Sequence, residues 1–291
     1  MRHCVIAVSI AICSLLANGC SKSITPATSA TVFSVRGKVL FGNAQKNDFQ
    51  PFTLKSRIHD GDTVRSLGGA SLDLALIPGA LAQLSGDSEI DIEELKITKD
   101  GNDTAGGMRD RTGRIRLNRG KIIVLFIPSD GLASQFVITA SELTIKPDSD
   151  CLFCLRTDGT TTRVTCAKGN INVSAEAQPP VTIAAGYFQE WPNKGAKAVA
   201  AADDATAQID TAESLESGER LQDEASRLAE PPLVLTNSQA LSCGGRASPD
   251  CSRTRISPAE SKVVAADTAA SIEAQWLKQL QLLFRPMKCR R

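Results

Sequence analysis

Short runs of alternating apolar and polar residues follow one another through residues 32–191. In residues 71–77 the leucines occupy alternate positions, so they share one face of a strand. Residues 122–127 are apolar throughout, which is typical of a strand buried on both sides. Gly, Pro and Asp-Gly punctuate the runs and mark turns. The pattern predicts a mainly β region of short strands, two of them at 80–84 and 89–92, arranged as a sandwich, barrel or β-solenoid.

The pattern changes after residue 191 and predicts a partly helical, partly disordered tail. Residues 192–257 are rich in Ala, then in charge, then in Ser, Gly and Pro, and we expect a linker of low order with an exposed helix at 210–229. Residues 258–291 are predicted to hold a C-terminal amphipathic helix, because apolar residues recur there at intervals of four. Its apolar stripe consists of Ile272, Trp276, Leu280 and Phe284. The stripe suits docking on a membrane or a partner, or packing on the protein's own sheet.

An apolar run at residues 5–17 follows a short polar start. It is short for a membrane span and fits a secretory signal. Residues 16–20 read Leu-Ala-Asn-Gly-Cys, which resembles the bacterial lipobox, although an ordinary secretion signal is the alternative. We therefore predict a lipoprotein signal peptide at 1–19, lipidation of Cys20 and a flexible tether at 20–31. The mature chain would face the periplasm on a lipid anchor, and the serine after Cys20 favours the outer membrane.

Export would place the cysteines in an oxidising compartment, where disulfides form. Of the nine cysteines, two would leave with the signal and Cys20 would be acylated, which leaves six. These six are Cys151, Cys154, Cys166, Cys243, Cys251 and Cys289. Cys243 and Cys251 are candidates for a disulfide within their own loop. Cys154 and Cys289 would then be either paired or free.

A hairpin signal makes the clearest disulfide prediction. Asp158-Gly159 is a strong signal for a two-residue β-turn. Such a turn places Cys151 directly opposite Cys166, within the distance that a disulfide spans. Cys151-x-x-Cys154 is alternatively a redox or metal motif. The export signal and the lack of a nearby histidine favour a structural role.

Composition argues against two classes of function. The formal net charge is +1, and no basic run is interleaved with aromatics, so we do not expect a nucleic-acid partner. The mature chain would keep one histidine, His59, beside Asp60 and Asp62. A catalytic triad or a metal site would have to use it, whereas a surface turn explains the same residues. We predict no enzymatic activity, no catalytic residues, no metal and no cofactor.

An ordered set of motifs in the β region resembles the FecR domain, the periplasmic module of bacterial iron-siderophore signalling regulators and of other envelope proteins. The motifs are Gly37-Lys38-Val39, residues 58–64 with Leu54, residues 71–76 with 90–92, Leu117-x-x-Gly120 with residues 121–124, residues 136–139, Val164, residues 169–173, and Val181-x-x-Ala184-Ala185-Gly186. The set covers roughly half the chain. This chain departs from the family at Asp148-Ser149, where Gly-Thr is usual. A signal and lipobox stand where signalling members carry a cytoplasmic segment and a spanning helix.

The resemblance implies a twisted β-roll or solenoid-like stack of short strands over residues 32–191. It also implies a binding role. We expect a lipid-anchored envelope protein whose β domain binds a protein or glycan partner without catalysis. The alternative is an accessory subunit of transmembrane signalling of the iron-siderophore type, which relays a periplasmic signal to a separate regulator.

Overall fold

The computed structural model describes residues 28–99, 108–128, 133–176, 178–192 and 197–229. Within them lie fifteen strands and one α-helix. The strands are β1 Thr31–Arg36, β2 Val39–Asn43, β3 Asp48–Pro51, β4 Thr63–Ser66, β5 Ser71–Ile77, β6 Ala80–Lys99, β7 Met108–Phe126, β8 Ala133–Ala140, β9 Leu143–Pro147, β10 Cys151–Thr157, β11 Thr162–Lys168, β12 Asn170–Ala175, β13 Val181–Ala184, β14 Tyr187–Trp191 and β15 Val199–Ala200, and the helix is α1 Ala205–Ala229.

All fifteen strands belong to one mixed sheet. Its longest path runs β13-β12-β9-β8-β7-β10-β11-β14-β15. Strands β7 and β8 pair in parallel, whereas β7 pairs with β6 and β10 in the antiparallel sense. Strands β6 and β7 form a long bent hairpin to which the other strands attach on both sides. The described part of the chain is therefore mainly β, as the sequence predicts.

One apolar cluster joins the inward faces of most strands. It includes the alternate leucines of β5, the apolar centre of β7 and the inward residues of β10 and β11. Phe126 and Phe136 stack within it, with ring centroids 6.1 Å apart. Because strands from both ends of the sheet contribute to a single core, the sheet curls around it. Alternation then leaves the other face of each strand turned outward.

The helix α1 covers part of the outward face. Its N-terminus is fixed by Asp204, whose Oδ1 accepts a hydrogen bond from the Ala207 amide at 2.8 Å, as N-cap residues do. The helix that the sequence predicts at 210–229 is present. Its predicted exposure is wrong for one face, where Ser214, Ser217 and Leu221 are buried, because small residues rather than a broad apolar stripe form most of that face. At Gly218 an added Cβ would lie 2.8 Å from Leu152 Cδ2, so the helix and sheet approach closely there.

Candidate binding groove

Three basic residues stand side by side on the outward face of the sheet. Lys121 of β7 lies opposite Arg156 of β10, and Arg156 lies opposite Arg163 of β11. We call these three residues the cation row. Like charges directly opposite each other destabilise a sheet. The row therefore requires neighbouring carboxylates.

The core fixes the position of the cation row. Each member is next in sequence to a fully buried residue, namely Ile122, Leu155 or Val164. Leu155 lies opposite both Ile122 and Val164, so these three side chains share the inward face. A shift of one residue in the pairing of these strands would turn the three apolar side chains outward. The apolar register thus holds the three cations in line on the other face.

Gly120 is needed directly before the row. Its φ is +89°, and a Cβ at this position would lie 2.5 Å from Ser88 Cα, so only glycine fits without rearrangement. The close approach lets the Lys121 amide donate to Ser88 Oγ at 2.8 Å. The Leu117-x-x-Gly120 motif therefore has a structural explanation. It joins β7 tightly to β6 where the cation row begins.

Carboxylates from α1 and its N-cap neutralise the row one for one. The pairs are Lys121–Glu213 at 2.5 Å, Arg156–Asp210 at 2.6 Å and Arg163–Asp204 at 2.8 Å. Arg163 also pairs with Glu190 of β14 at 2.8 Å. The three carboxylates belong to a single short stretch of chain. Helix docking therefore neutralises all three positions together.

Burial strengthens the central pair. Asp210 is 1% exposed, whereas Arg156 is 44% exposed. Burial disfavours the charge on Arg156, but the hydrogen bond and charge of Asp210 outweigh it and raise the pKa of Arg156. The pKa of Asp204 is lowered by the Ala207 amide and further by Arg163. The cation form of Arg156 and the carboxylate form of Asp204 are therefore favoured in this structure.

A second polar network lies under α1. Gln83 Nε2 donates to Asp73 Oδ1 at 2.9 Å, and Ser217 Oγ donates to Gln83 Oε1 at 2.6 Å. Arg220 Nε lies 3.5 Å from Asp73 Oδ2. Between this network and the cation row, Leu215 packs on a small apolar cluster of Ile123, Leu152 and Cys154. The contact between helix and sheet thus combines polar groups with buried apolar residues of α1, among them Ala207 and Leu221.

A groove of about 680 Å³ opens beside the cation row. Its walls come from the bend of β6, the β10–β11 hairpin and the first turns of α1. They consist of Ser85, Gly86, Asp87, Gly120, Thr157, Asp158, Thr161, Glu190, Thr206 and Glu213, together with the cation row. Most of these side chains carry a charge or a hydroxyl group, and none of them has an aromatic ring. Such walls can hold a polar ligand through hydrogen bonds and ion pairs.

The structure corrects the predicted cysteine register. Thr157 pairs with Thr162, so residues 158–161 form a four-residue turn, and Phe153 rather than Cys151 lies opposite Cys166. Asp158 Oδ1 accepts hydrogen bonds from the Thr160 and Thr161 amides at 2.8 and 2.7 Å, which stabilises the wider turn. The prediction that Cys151 faces Cys166 directly is therefore wrong. Both are free thiols in the structure.

The three described cysteines are buried thiols. Burial raises the pKa of Cys166 to about 11 and raises the pKa of Cys151 and Cys154 further. Thiolates are the reactive form of cysteine, so these environments disfavour redox or metal chemistry near neutral pH. Cys151 and Cys166 belong to the inward core. Cys154 belongs to the cluster beneath Leu215 on the outward face.

The aspartates around His59 are used by the local turn. The His59 amide donates to Asp62 Oδ2 at 2.8 Å, and the Leu95 amide donates to Asp60 Oδ1 at 2.6 Å. The side chain of His59 is 52% exposed. These bonds fix the entry into β4 and give the aspartates a structural role.

The remaining predicted sites lie outside the described residues. They are Cys20, Cys243, Cys251, Ile272, Trp276, Leu280, Phe284 and Cys289. In the part of the chain that is described, no helix has the length and apolar character needed to cross a membrane.

Comparison with solved structures gives a distant match. It is to a protein from Parabacteroides distasonis ATCC 8503 that is provisionally assigned as an anti-sigma factor, in crystal structures at 1.65 and 2.50 Å resolution. In each case the TM-score is 0.33 at 10% identity, over 47% of this chain and 57% of that chain. No protein-family model matches the chain, and no curated protein matches it. The structural match describes distant likeness and carries no part of the functional argument.

Proposed function

We propose that this chain is a non-catalytic binding module of the cell envelope that recognises a protein partner at the groove beside the cation row. The observation that carries the proposal is the alignment of Lys121, Arg156 and Arg163 on neighbouring strands next to an open polar groove. Side chains held by rigid strands can recognise a ligand with little loss of conformational entropy.

A protein segment suits the groove better than a glycan. The lining residues offer charges and hydroxyls, which pair with the side chains and main chain of a peptide. They offer no aromatic ring on which a sugar could stack. The partner that we propose is therefore polypeptide, held mainly by charged and polar contacts.

The proposed location rests on the N-terminal sequence. Residues 16–20 resemble a lipobox, and lipidation of Cys20 would anchor the module at the membrane surface. The residues up to Ala30 would then serve as a tether. Mass spectrometry of the N-terminal peptide from native membranes should find an acylated Cys20. An unmodified N-terminus beginning elsewhere would disprove the anchor.

A second candidate function is an accessory role in transmembrane signalling. It is supported by the ordered motifs that resemble the FecR domain, above all Leu117-x-x-Gly120 and the run from residue 169 to 173. In this role the bound partner would be a receptor or a membrane regulator. The module would relay occupancy of the receptor to that regulator.

Site-specific crosslinking in the native envelope tests both candidates. A photo-reactive amino acid at Asp87, which is exposed and lines the groove, should capture a partner protein. The same amino acid at Leu54, which is 63% exposed and outside the groove lining, is the control. Capture of an envelope protein from Asp87 alone supports a binding module, and a membrane regulator or receptor among the products favours signalling. Equal capture from both positions, or none from Asp87, contradicts the proposed groove.

A further inference from the structure

We propose that α1 is a built-in occupant of the cation row, and that an acidic segment of the partner takes its place. The inference rests on the proposed function and names both the partner's chemistry and the regulation of the same site. In the docked state the chain would satisfy its own recognition site. Binding would then be an exchange of one acidic segment for another.

The charges on the sheet favour such an exchange. Among the described residues, Lys121 and Arg156 have their ion-pair partners on α1, whereas Arg163 also has Glu190 on the sheet. When α1 leaves, two adjacent cations would face solvent without those carboxylates. Opposed like charges on neighbouring strands are unfavourable. An arriving acidic segment would restore the pairs that α1 had made.

The contact of α1 with the sheet suits reversible docking. Its buried positions include Asp210, Ser214 and Ser217, and Leu215 and Leu221 supply its larger apolar side chains. The two outer pairs, Lys121–Glu213 and Arg163–Asp204, each have a partly exposed member, so solvent screens them. The central pair contains the buried Asp210, so an incoming segment must supply Arg156 with a new carboxylate when that pair breaks. A contact that depends in part on ion pairs is open to a ligand that offers the same charges. A competing ligand can therefore shift the balance.

The spacing of the carboxylates describes the competing segment. Asp210 and Glu213 are three residues apart and lie on one face of the helix, where they meet Arg156 and Lys121 on adjacent strands. The partner segment is therefore an acidic helix with carboxylates at this spacing. The groove beside the row provides the approach, since the half-buried Thr161 lines it and can contact the segment before α1 dissociates.

A peptide competition experiment on the full chain tests the exchange. The probe is a labelled synthetic peptide with the sequence of residues 201–222, and its binding is followed by fluorescence anisotropy. The chain carrying Asp210→Asn and Glu213→Gln loosens its own α1 and should bind the peptide at least about tenfold more tightly than the wild type, because a larger fraction of the sites is vacant. A control peptide with Asn or Gln at positions 204, 210 and 213 should not bind. Adding Arg156→Gln to the loosened chain should abolish binding.

Hydrogen exchange of α1 shows whether each variant has loosened the helix, so that the peptide-binding result can be interpreted. In the loosened chain the amides of residues 205–222 should exchange faster while those of β7 and β10 stay protected. Leu215→Asp loosens the helix by a different route and should also increase peptide binding. Failure of the peptide to bind a loosened chain, or full protection of α1 in both variants, overturns the exchange. If crosslinking from Asp87 captures a partner equally well when Lys121 and Arg156 are glutamine, the binding module stands and this inference fails.

Discussion

Strands β7, β10 and β11 carry two faces of opposite character. Inward, Ile122, Leu155 and Val164 lie side by side in the core, fully buried. Outward, one residue away in each strand, the cation row meets carboxylates from α1. The same register creates both faces, yet they tolerate change differently. Close packing fixes the side chains of the inward face, whereas ion pairs with α1 and its N-cap hold the outward face.

Truncation of the inward face should have the largest effect. Leu155→Ala removes a side chain that is fully buried and should lower the free energy of unfolding by about 2–5 kcal/mol, through lost burial and the cavity left behind. Urea unfolding followed by circular dichroism measures the change. Leu54→Ala, at a position 63% exposed, is the matched control and should change stability by less than about 0.5 kcal/mol. Similar losses in the two variants would contradict the assigned core.

Alkaline pH should have the second-largest effect, and it should also act on the inward face. The Cys166 thiol has an ordinary pKa of 9.0, and burial raises it to about 11. A raised thiol pKa favours the fold below pH 9, and this contribution is lost as pH rises from 9 to 11, so unfolding free energy should fall there by roughly 2 kcal/mol. Cys166→Ala should show a shallower decline in urea unfolding over the same range. Identical slopes would mean that the thiol is accessible.

Loss of the central cation should affect the outward face alone. Arg156→Gln leaves the buried Asp210 without its partner, and we expect α1 docking to weaken by about 1–2 kcal/mol. Hydrogen exchange should show faster amides in residues 205–222 and unchanged protection in β7 and β10. Arg114→Gln, an exposed arginine on the same strand as Lys121, is the control. Global unfolding of the Arg156 variant would show that the two faces are not separable.

Acid should produce the smallest effect. The Ala207 amide and Arg163 lower the pKa of Asp204 from 3.8, so its carboxylate stabilises the docked helix above that pH. This contribution is lost as pH falls below 3.8 through the lowered pKa. Hydrogen exchange at about pH 3 should therefore find α1 less protected than at pH 5, after correction for the intrinsic exchange rate. Asp204→Asn should reduce this difference in protection between pH 3 and pH 5. If the difference is unchanged in that variant, other carboxylates cause it.

The inward face could largely be predicted from the sequence, because alternation within one strand is local information. The alternate leucines of β5 and the apolar centre of β7 are buried as expected. Strand β6 could be predicted only in part, since its two predicted pieces form one strand of 20 residues. Its register shifts between Ser85 and Glu89, where Gly86 has a φ of +67°. A bulge of this kind resembles a strand break in the sequence.

The candidate site could not be predicted, because its members are brought together by pairing between distant residues. Lys121, Arg156 and Arg163 each border an apolar run, which is the weak signal that the sequence offers. Their alignment depends on the width of the β10–β11 turn. The side chain of Asp158 widens that turn by accepting hydrogen bonds from Thr160 and Thr161, whereas Asp-Gly alone favours two residues. The same difference explains the incorrect cysteine register.

The pairing order of the sheet also sets when the cation row comes into existence during folding. Pairing of β6 with β7 can begin at Lys99 and Met108, which are close in sequence, and it is therefore expected early. Even the nearest β7–β10 pair, Phe126 and Cys151, encloses strands β8 and β9, and non-local pairing is slow. Only after β10 and β11 have joined β7 do the three cations stand in line. A newly made chain would therefore lack this site until its sheet is complete. Docking of α1 would be the last step of folding, and the acidic partner that we propose would bind only to fully folded chains.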